Sequence, residues 1–330
     1  MIEKTVISLT VPSQETRAGF TAIERSIAAH DAVMAALPEM NSIEIGGAPS
    51  SGEPLAFPFT IAAWNLERCL FAPESAAHLA ATDAPVVLLS EMDNGMARTG
   101  QRHPTAEVAA TLQMQYAYGV EFIELGLGSD TELEFCKDDF NEKGFHGNAL
   151  MAAVPLGRPF MLRLWGKRLW FMDGGDQPRV GERFAIGAVI ETQAGPFVAV
   201  STHLESATTA PYRERQVKEL IEALDEAFLA LPVLIGGDLN TGNHAGGDFE
   251  AEGLFTTSAA RGFTRHGGPI ELMTTRPSLI TRWPERAMKL DWFLSRGLKI
   301  GESGIIPSLD ADGRPLSDHD LITCVIEGFE

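Results

Sequence analysis

Cysteine is scarce in this chain: only Cys69, Cys136 and Cys324 occur. No two of them form a CxxC pair and the number is odd, which argues against a disulfide framework or a zinc ribbon and for a reducing compartment. Long apolar runs are missing as well. No stretch approaches the ~20 residues of a membrane span, and MIEKTVISLTVPSQETR has no basic segment followed by an apolar one, so a soluble cytoplasmic protein is expected. Positive charge is the third shortage. With 26 Lys and Arg against 45 Asp and Glu, the net charge of -19 repels polyanions, so tight non-specific nucleic-acid binding is not favoured. Short, small or neutral-headed substrates fit better, and nothing in the sequence points to a protein partner.

What is present is an ordinary globular composition, 45% hydrophobic and 22% charged over 330 residues. That length suits two average domains or one large two-sheet core. Residues from Gln14 to Leu37 read as one packing helix, with Phe20, Ile23, Ile27 and Val33 at helical spacing. A Gly-, Pro- and Ser-rich stretch from Gly46 to Pro58 reads as a linker, so residues 1–58 are expected to be an N-terminal extension and 59–330 the main domain. From Phe59 onward, short apolar runs end in polar clusters: FTIAAWNLE, PVVLLSEMD, FHGNALMAAV, FAIGAVIETQ, FVAVSTHLES, PVLIGGDLN, KLDWFLS and DLITCVIE. Each reads as a buried strand. The clearest helix spans 211–230, where Val217, Leu220, Ile221, Leu224 and Phe228 form one apolar stripe.

The polar strand ends carry the chemistry. A carboxylate at the end of a buried strand is costly without a partner, and several such ends together point to a shared metal or anion. PVLIGGDLN sets Asp238 and Asn240 on one side of an extended segment, a carboxylate to orient and deprotonate water beside an amide to hold a phosphate oxygen. Asn65 and Glu67 repeat that period-two spacing, as do Glu91 and Asp93, and Glu91 is a natural hard-oxygen ligand for Mg²⁺. His203 follows a buried-looking strand. KLDWFLS and PLSDHDLITCVIE add Asp291, Asp318 and His319, which suit an Asp-oriented histidine with a second Asp free for metal.

Taken in order, WNLE, LLSEMD, HGNAL, STHLES, GGDLN, LDWFL and SDHD resemble the motifs of the endonuclease/exonuclease/phosphatase superfamily, over residues 59 to 330. The resemblance implies a deoxyribonuclease-I-like fold, a two-layered β-sandwich flanked by helices in an α/β chain. It implies a Mg²⁺- or Mn²⁺-dependent hydrolase of phosphoesters, with Glu91, Glu67 and Asp318 on the metal. Asp238 would activate water, Asn65 and Asn240 would hold phosphate oxygens, and His319, its tautomer fixed by Asp291, would stabilise the transition state. His203 would contact the phosphate or protonate the leaving oxygen, and Asn148 of the HGNAL string would join the substrate contacts. One departure is Ser90, where the family usually has Gln before the metal-binding Glu. That bears on a hydrogen bond behind the ligand and not on the ligand.

The segment after Glu91 concentrates Arg98, Arg102 and His103, expected as substrate contacts because a guanidinium suits a phosphate. Arg213 and Arg215 are expected to face the cleft from a helix start, and Trp165, Trp170 and Phe171 to pack in the core more than to line a pocket. Three readings follow: a phosphodiesterase or phosphatase acting on a small or lipid-linked phosphoester, favoured by the charge; a nuclease or 5′-tyrosyl-DNA-phosphodiesterase-like enzyme; and a non-catalytic binding protein on the same fold. The intact polar set argues against the last.

Overall fold

The computed structural model describes residues 1–173, 179–229, 231–243 and 246–330. Ala230, the last residue of the helix expected over 211–230, and residues 174–178 of the aromatic segment lie outside the described residues. The strands are β1 Thr5–Val6, β2 Ile43–Gly47, β3 Phe59–Arg68, β4 Val86–Asn94, β5 Gln115–Glu124, β6 Phe145–Ala152, β7 Gly157–Arg163, β8 Arg179–Gly181, β9 Phe184–Thr192, β10 Gly195–His203, β11 Val233–Asp238, β12 Thr264–His266, β13 Asp291–Arg296, β14 Leu298–Ile306 and β15 Leu321–Phe329. The helices are α1 Gln14–Phe20, α2 Ile27–Ala36, α3 Ala72–Ala80, α4 Pro104–Leu112, α5 Asp130–Leu133, α6 Leu169–Met172, α7 Ala210–Ala227 and α8 Gly253–Ala259. All eight apolar runs of the sequence are strands. Among the described residues no helix is long and apolar enough to cross a membrane.

The strands form two mixed sheets. One runs β1-β2-β5-β6-β4-β3-β15-β14, with β8 paired to β5, and the other runs β12-β13-β11-β10-β9-β7. Strand periodicity explains how they stack. Ile61 and Ala63 of β3 and Val86 and Leu88 of β4 point inward to meet Ala188, Ile190, Phe197, Ala199, Leu234 and Phe293 of the other sheet. Their neighbours Ala62, Trp64, Val87 and Leu89 point outward against Ala72, Ala76 and Leu79 of α3 and Val108 of α4. On the far side Val217, Leu220, Ile221 and Leu224 of α7 cover Val198, Val200, Val233 and Ile235. The result is four layers, helix–sheet–sheet–helix, and strands buried on both faces, which is why they read as continuous apolar runs. Each fully buried large side chain contributes about 1.5–3 kcal/mol.

The single helix expected from Gln14 to Leu37 is two. Ser26 begins the second, its hydroxyl accepting from the Ala29 N–H at 3.2 Å, while Arg25 lies over the Phe171 ring. A serine cap offers the backbone an alternative to continuing the first helix. The first 58 residues also supply β1 and β2, and β2 pairs antiparallel with β5.

Candidate active site

The parallel strands β3 and β4, and β10 and β11, end at one edge of the sandwich, where the antiparallel β13 and β15 begin. Pairing puts His203 beside Asp238 and Asp238 beside Asp291. The Gly-Gly step before Asp238 is required by packing. Gly237 has φ +138, and a Cβ there would lie 2.1 Å from the Thr202 carbonyl oxygen. Irregularities re-aim the other ends: the register slips between Asn65 and Arg68 on β3 and between Leu89 and Met92 on β4. Bulges of this kind turn side chains at the rims of sheets. Glu67, Arg68, Cys69, Glu91 and Asn240 all have positive φ without being glycine. Each costs roughly 1–2 kcal/mol, and these five are half of the ten such residues among those described.

The side chains converge on a cavity of about 410 Å³ lined by Glu67, Arg68, Glu91, His203, Asp238 and His319, among others. Asn65 Nδ2 donates to Glu91 Oε1 and to Asp238 Oδ2, both at 3.1 Å. Asp238 Oδ1 accepts from the Asn240 N–H at 2.8 Å, and Asn240 Nδ2 donates to the Leu204 carbonyl. His319 Nδ1 lies 2.8 Å from Asp291 Oδ2, with its Nε2 3.6 Å from Asp238 Oδ2. The backbone around it is tied down, since Ser317 Oγ donates to the Asn65 carbonyl and Trp64 Nε1 to that of His319. Glu67 accepts at Oε1 from the Ser278 and Thr281 hydroxyls, both at 2.7 Å, and at Oε2 from the Asp318 N–H.

Burial and neighbouring charge set the protonation states. Burial pushes Asp238 up to about 6, opposed by His319 and aided by Asp291. Burial, then the charge of Asp318, lifts Glu67 to about 7. For His319 burial favours the neutral ring, but Asp291, Asp238 and Asp318 outweigh it and hold the imidazole up at about 10. His203 goes the other way: burial, then Arg183, push it well below the ordinary value. Arg183 Nη1 lies 2.9 Å from His203 Nδ1 and 3.3 Å from Nε2, and Nε2 faces Asp238 at 3.5 Å. The two histidines are thus in opposite states, one cationic and one neutral.

Asp238, Asp291 and His319 bring three ligand-type atoms within 4.8 Å of one another. Within the trio His319 Nδ1 is hydrogen-bonded to Asp291 while its Nε2 faces Asp238, an acid–histidine–acid arrangement. Glu67, Glu91 and Asp318 offer oxygen alone.

The expected substrate contacts Arg98, Arg102, His103 and Asn148 do not line this cavity. Arg98 is 3% exposed, with Nε and Nη2 on Asp93 and Nη1 on Glu124 and Glu132, all at 2.8–2.9 Å. Asp93 turns inward to it, away from Glu91, because the bulge separates the two. Arg102 bonds Glu107 and two carbonyls, and His103 sits 2.6 Å from Glu44 between Tyr116 and Tyr118. Asn148 is buried on β6 near the Phe184 carbonyl and Glu121. Arg213 is buried on Glu252, and Arg215 lies over Trp165 at 3.8 Å. For the four arginines a nearby carboxylate or aromatic face takes the guanidinium.

Sequence reasoning missed Arg68, Arg286 and Trp283, which line the cavity, and favoured the core for Trp170, which lines it too. Period-two spacing puts Arg68 on the opposite face from Glu67; only the left-handed turn at 67–69 brings both to the cleft. Arg286 and Trp283 stand in a loop without periodicity. Trp170 leaves the core to face the cleft, while Phe171 packs in it.

No protein-family model matches the sequence, and no curated protein matches it either. Solved structures share its fold. An endonuclease/exonuclease/phosphatase from Beutenbergia cavernae is 16% identical at a TM-score of 0.58, covering 82% of this chain and 72% of that one. The human Nocturnin catalytic domain with bound sulfate is 16% identical at 0.57, covering 87% and 97%. Truncated Caenorhabditis elegans TDP2 is 13% identical at 0.52, covering 82% and 98%. The chain therefore has the endonuclease/exonuclease/phosphatase fold, the deoxyribonuclease-I-like sandwich that its motifs resemble.

Proposed function

We infer that this chain is a divalent-metal-dependent phosphoesterase acting on a small or lipid-linked substrate. The observation that carries the reading is the meeting of Asn65, Glu91, His203, Asp238, Asn240 and the Asp291–His319 pair at one cavity edge. The sulfate seen on the Nocturnin domain, a tetrahedral anion on the same fold, supports it.

The residues fit a divalent cation. Glu67, Glu91, Asp238, Asp291 and Asp318 gather five carboxyl groups here, and the cations that touch them are Arg68, Arg286 and His319. The all-oxygen donor set of Glu67, Glu91 and Asp318 suits Mg²⁺ or Mn²⁺. Glu91 and Asp318 would hold the ion directly. Glu67, whose Oε1 already accepts three hydrogen bonds, would act through water. When bound, the ion neutralises charge on the phosphate and its leaving oxygen.

The side chains supply the rest. A water on Asp238 gives up its proton to a carboxylate raised toward neutrality, as a general base requires. The new P–O bond forms as the ester P–O bond opposite breaks, and the leaving oxygen is protonated from solvent. Asn65 and Asn240 orient phosphate oxygens, His203 contacts the phosphate as a neutral ring, and cationic His319 stabilises the added charge. Bis-p-nitrophenyl phosphate with Mg²⁺ is the test: Asp238→Ala should lower kcat by about 10²–10⁴-fold, with an unchanged circular dichroism spectrum. Turnover at the native rate would refute the assignment.

One observation favours a nuclease or tyrosyl-DNA-phosphodiesterase-like reading. Trp283 is 66% exposed at the cavity, beside Arg286, and offers a face on which a base could stack. Cleavage of single-stranded oligonucleotides at low salt would favour it over the small-substrate reading.

A further inference from the structure

We propose that Arg68 and Arg286 are ligands of the substrate phosphate, parked on the metal-site carboxylates until a divalent cation displaces them. The inference rests on the metal assignment above. Each carboxylate given a direct role there is already in contact with a guanidinium from the same cavity: Arg68 with Glu91, and Arg286 with Asp318 at 2.8 Å. A cation bound by those oxygens takes the place of the guanidiniums, which leaves Arg286 and the Arg68 nitrogens that faced Glu91 open to a new anion, with Arg68 Nε still on Glu132. The next anion to enter is the substrate, and a planar fork of N–H donors matches phosphate oxygens.

Two details distinguish these arginines from structural ones. Arg68 is tethered at Nε by Glu132 at 2.8 Å, so its other nitrogens can leave Glu91 while the side chain stays in place. Arg286 keeps a buried Nε without a hydrogen-bond partner, and its Nη2 lies 3.4 Å from His319 Nε2, at the place where phosphate charge would build. Arg98, by contrast, has a wholly buried side chain and spends its bonds on carboxylates outside the cavity. Backbone strain at Arg68, with φ 79, is of the kind that collects at functional positions.

Exchange makes an uncommon prediction, that removing a cavity-lining cation tightens metal and weakens phosphate. Mn²⁺ binding to EDTA-treated protein is followed by electron paramagnetic resonance, then inorganic phosphate is titrated into the Mn²⁺-loaded form. R68Q and R286Q should bind Mn²⁺ about tenfold more tightly than the native chain, and phosphate about tenfold more weakly. R286K should recover part of the phosphate affinity. In the native protein phosphate should tighten Mn²⁺, and by linkage Mn²⁺ should tighten phosphate by the same factor. R286Q alone carries the test if R68Q fails to fold. Unchanged or weaker Mn²⁺ affinity in the folded variants overturns the exchange, while Mn²⁺ binding that survives E91Q, or is absent from the native chain, overturns the metal assignment and the exchange with it.

Discussion

Two clusters of carboxylates and guanidiniums lie side by side at this end of the sandwich, and Arg68 joins them. One is closed: Arg98 is enclosed by Asp93, Glu124 and Glu132, with His146 on Asp93 at 3.0 Å. The other is open, with Glu91, Asp238, Asp318 and His319 around a cavity. The residue types are nearly the same. What differs is whether the groups line a cavity, and with it whether a charge has a permanent partner or an exchangeable one. A closed cluster serves the fold and is costly to break; an open one can trade partners with a ligand.

The largest break in that contrast is Asp238→Ala, which should cost the open cluster its turnover and leave the fold. The reverse pattern is expected from Arg98→Met. Removing the guanidinium that bonds all three buried carboxylates should lower stability by about 3–5 kcal/mol in urea titrations. A variant as stable as the native chain would show that the closed cluster is not structural.

His146 supplies a pH test of closure. Burial, partly opposed by its bond to Asp93, lowers this histidine to about 4. The unfolded chain takes up a proton near pH 6.5 that the native ring refuses until about pH 4, so its contribution is present above 6.5 and lost as pH falls through that window. The loss amounts to about 3 kcal/mol, measured as the native-minus-His146→Asn difference in urea stability at pH 7.5 and pH 4.5. A pH-independent difference would mean that the ring is open to water. The smallest effect is expected from Arg102→Ala. Its partners Glu107 and two backbone carbonyls lie off the cavity, so kcat/KM should change by less than about twofold. A tenfold fall would restore it to the substrate site.

Much of this was legible in the sequence because it is local. Eight apolar runs became strands, and Asn65, Glu91, His203, Asp238, Asn240, Asp291, Asp318 and His319 do meet, since each sits where a buried strand ends. The alternation that buries Ile61 one way and Trp64 the other is a property of the strand itself. Arg98 shows where local reading stops: its position after Glu91 said that it was near, but not which of several carboxylates would hold it.

The sequence by itself determined the order and chemical type of the polar strand ends and the sandwich that carries them. Only the tertiary structure decided which charges face the cavity. Polar contacts are made across the fold: Glu67 meets Ser278 across 211 residues, Arg68 meets Glu132 across 64, and Arg286 reaches His319 across 33. Periodicity fixes the face on which a side chain begins. Where a bulge or a left-handed turn redirects it, as at Arg68 and Glu91, the low-dielectric competition among distant partners settles where its charge ends.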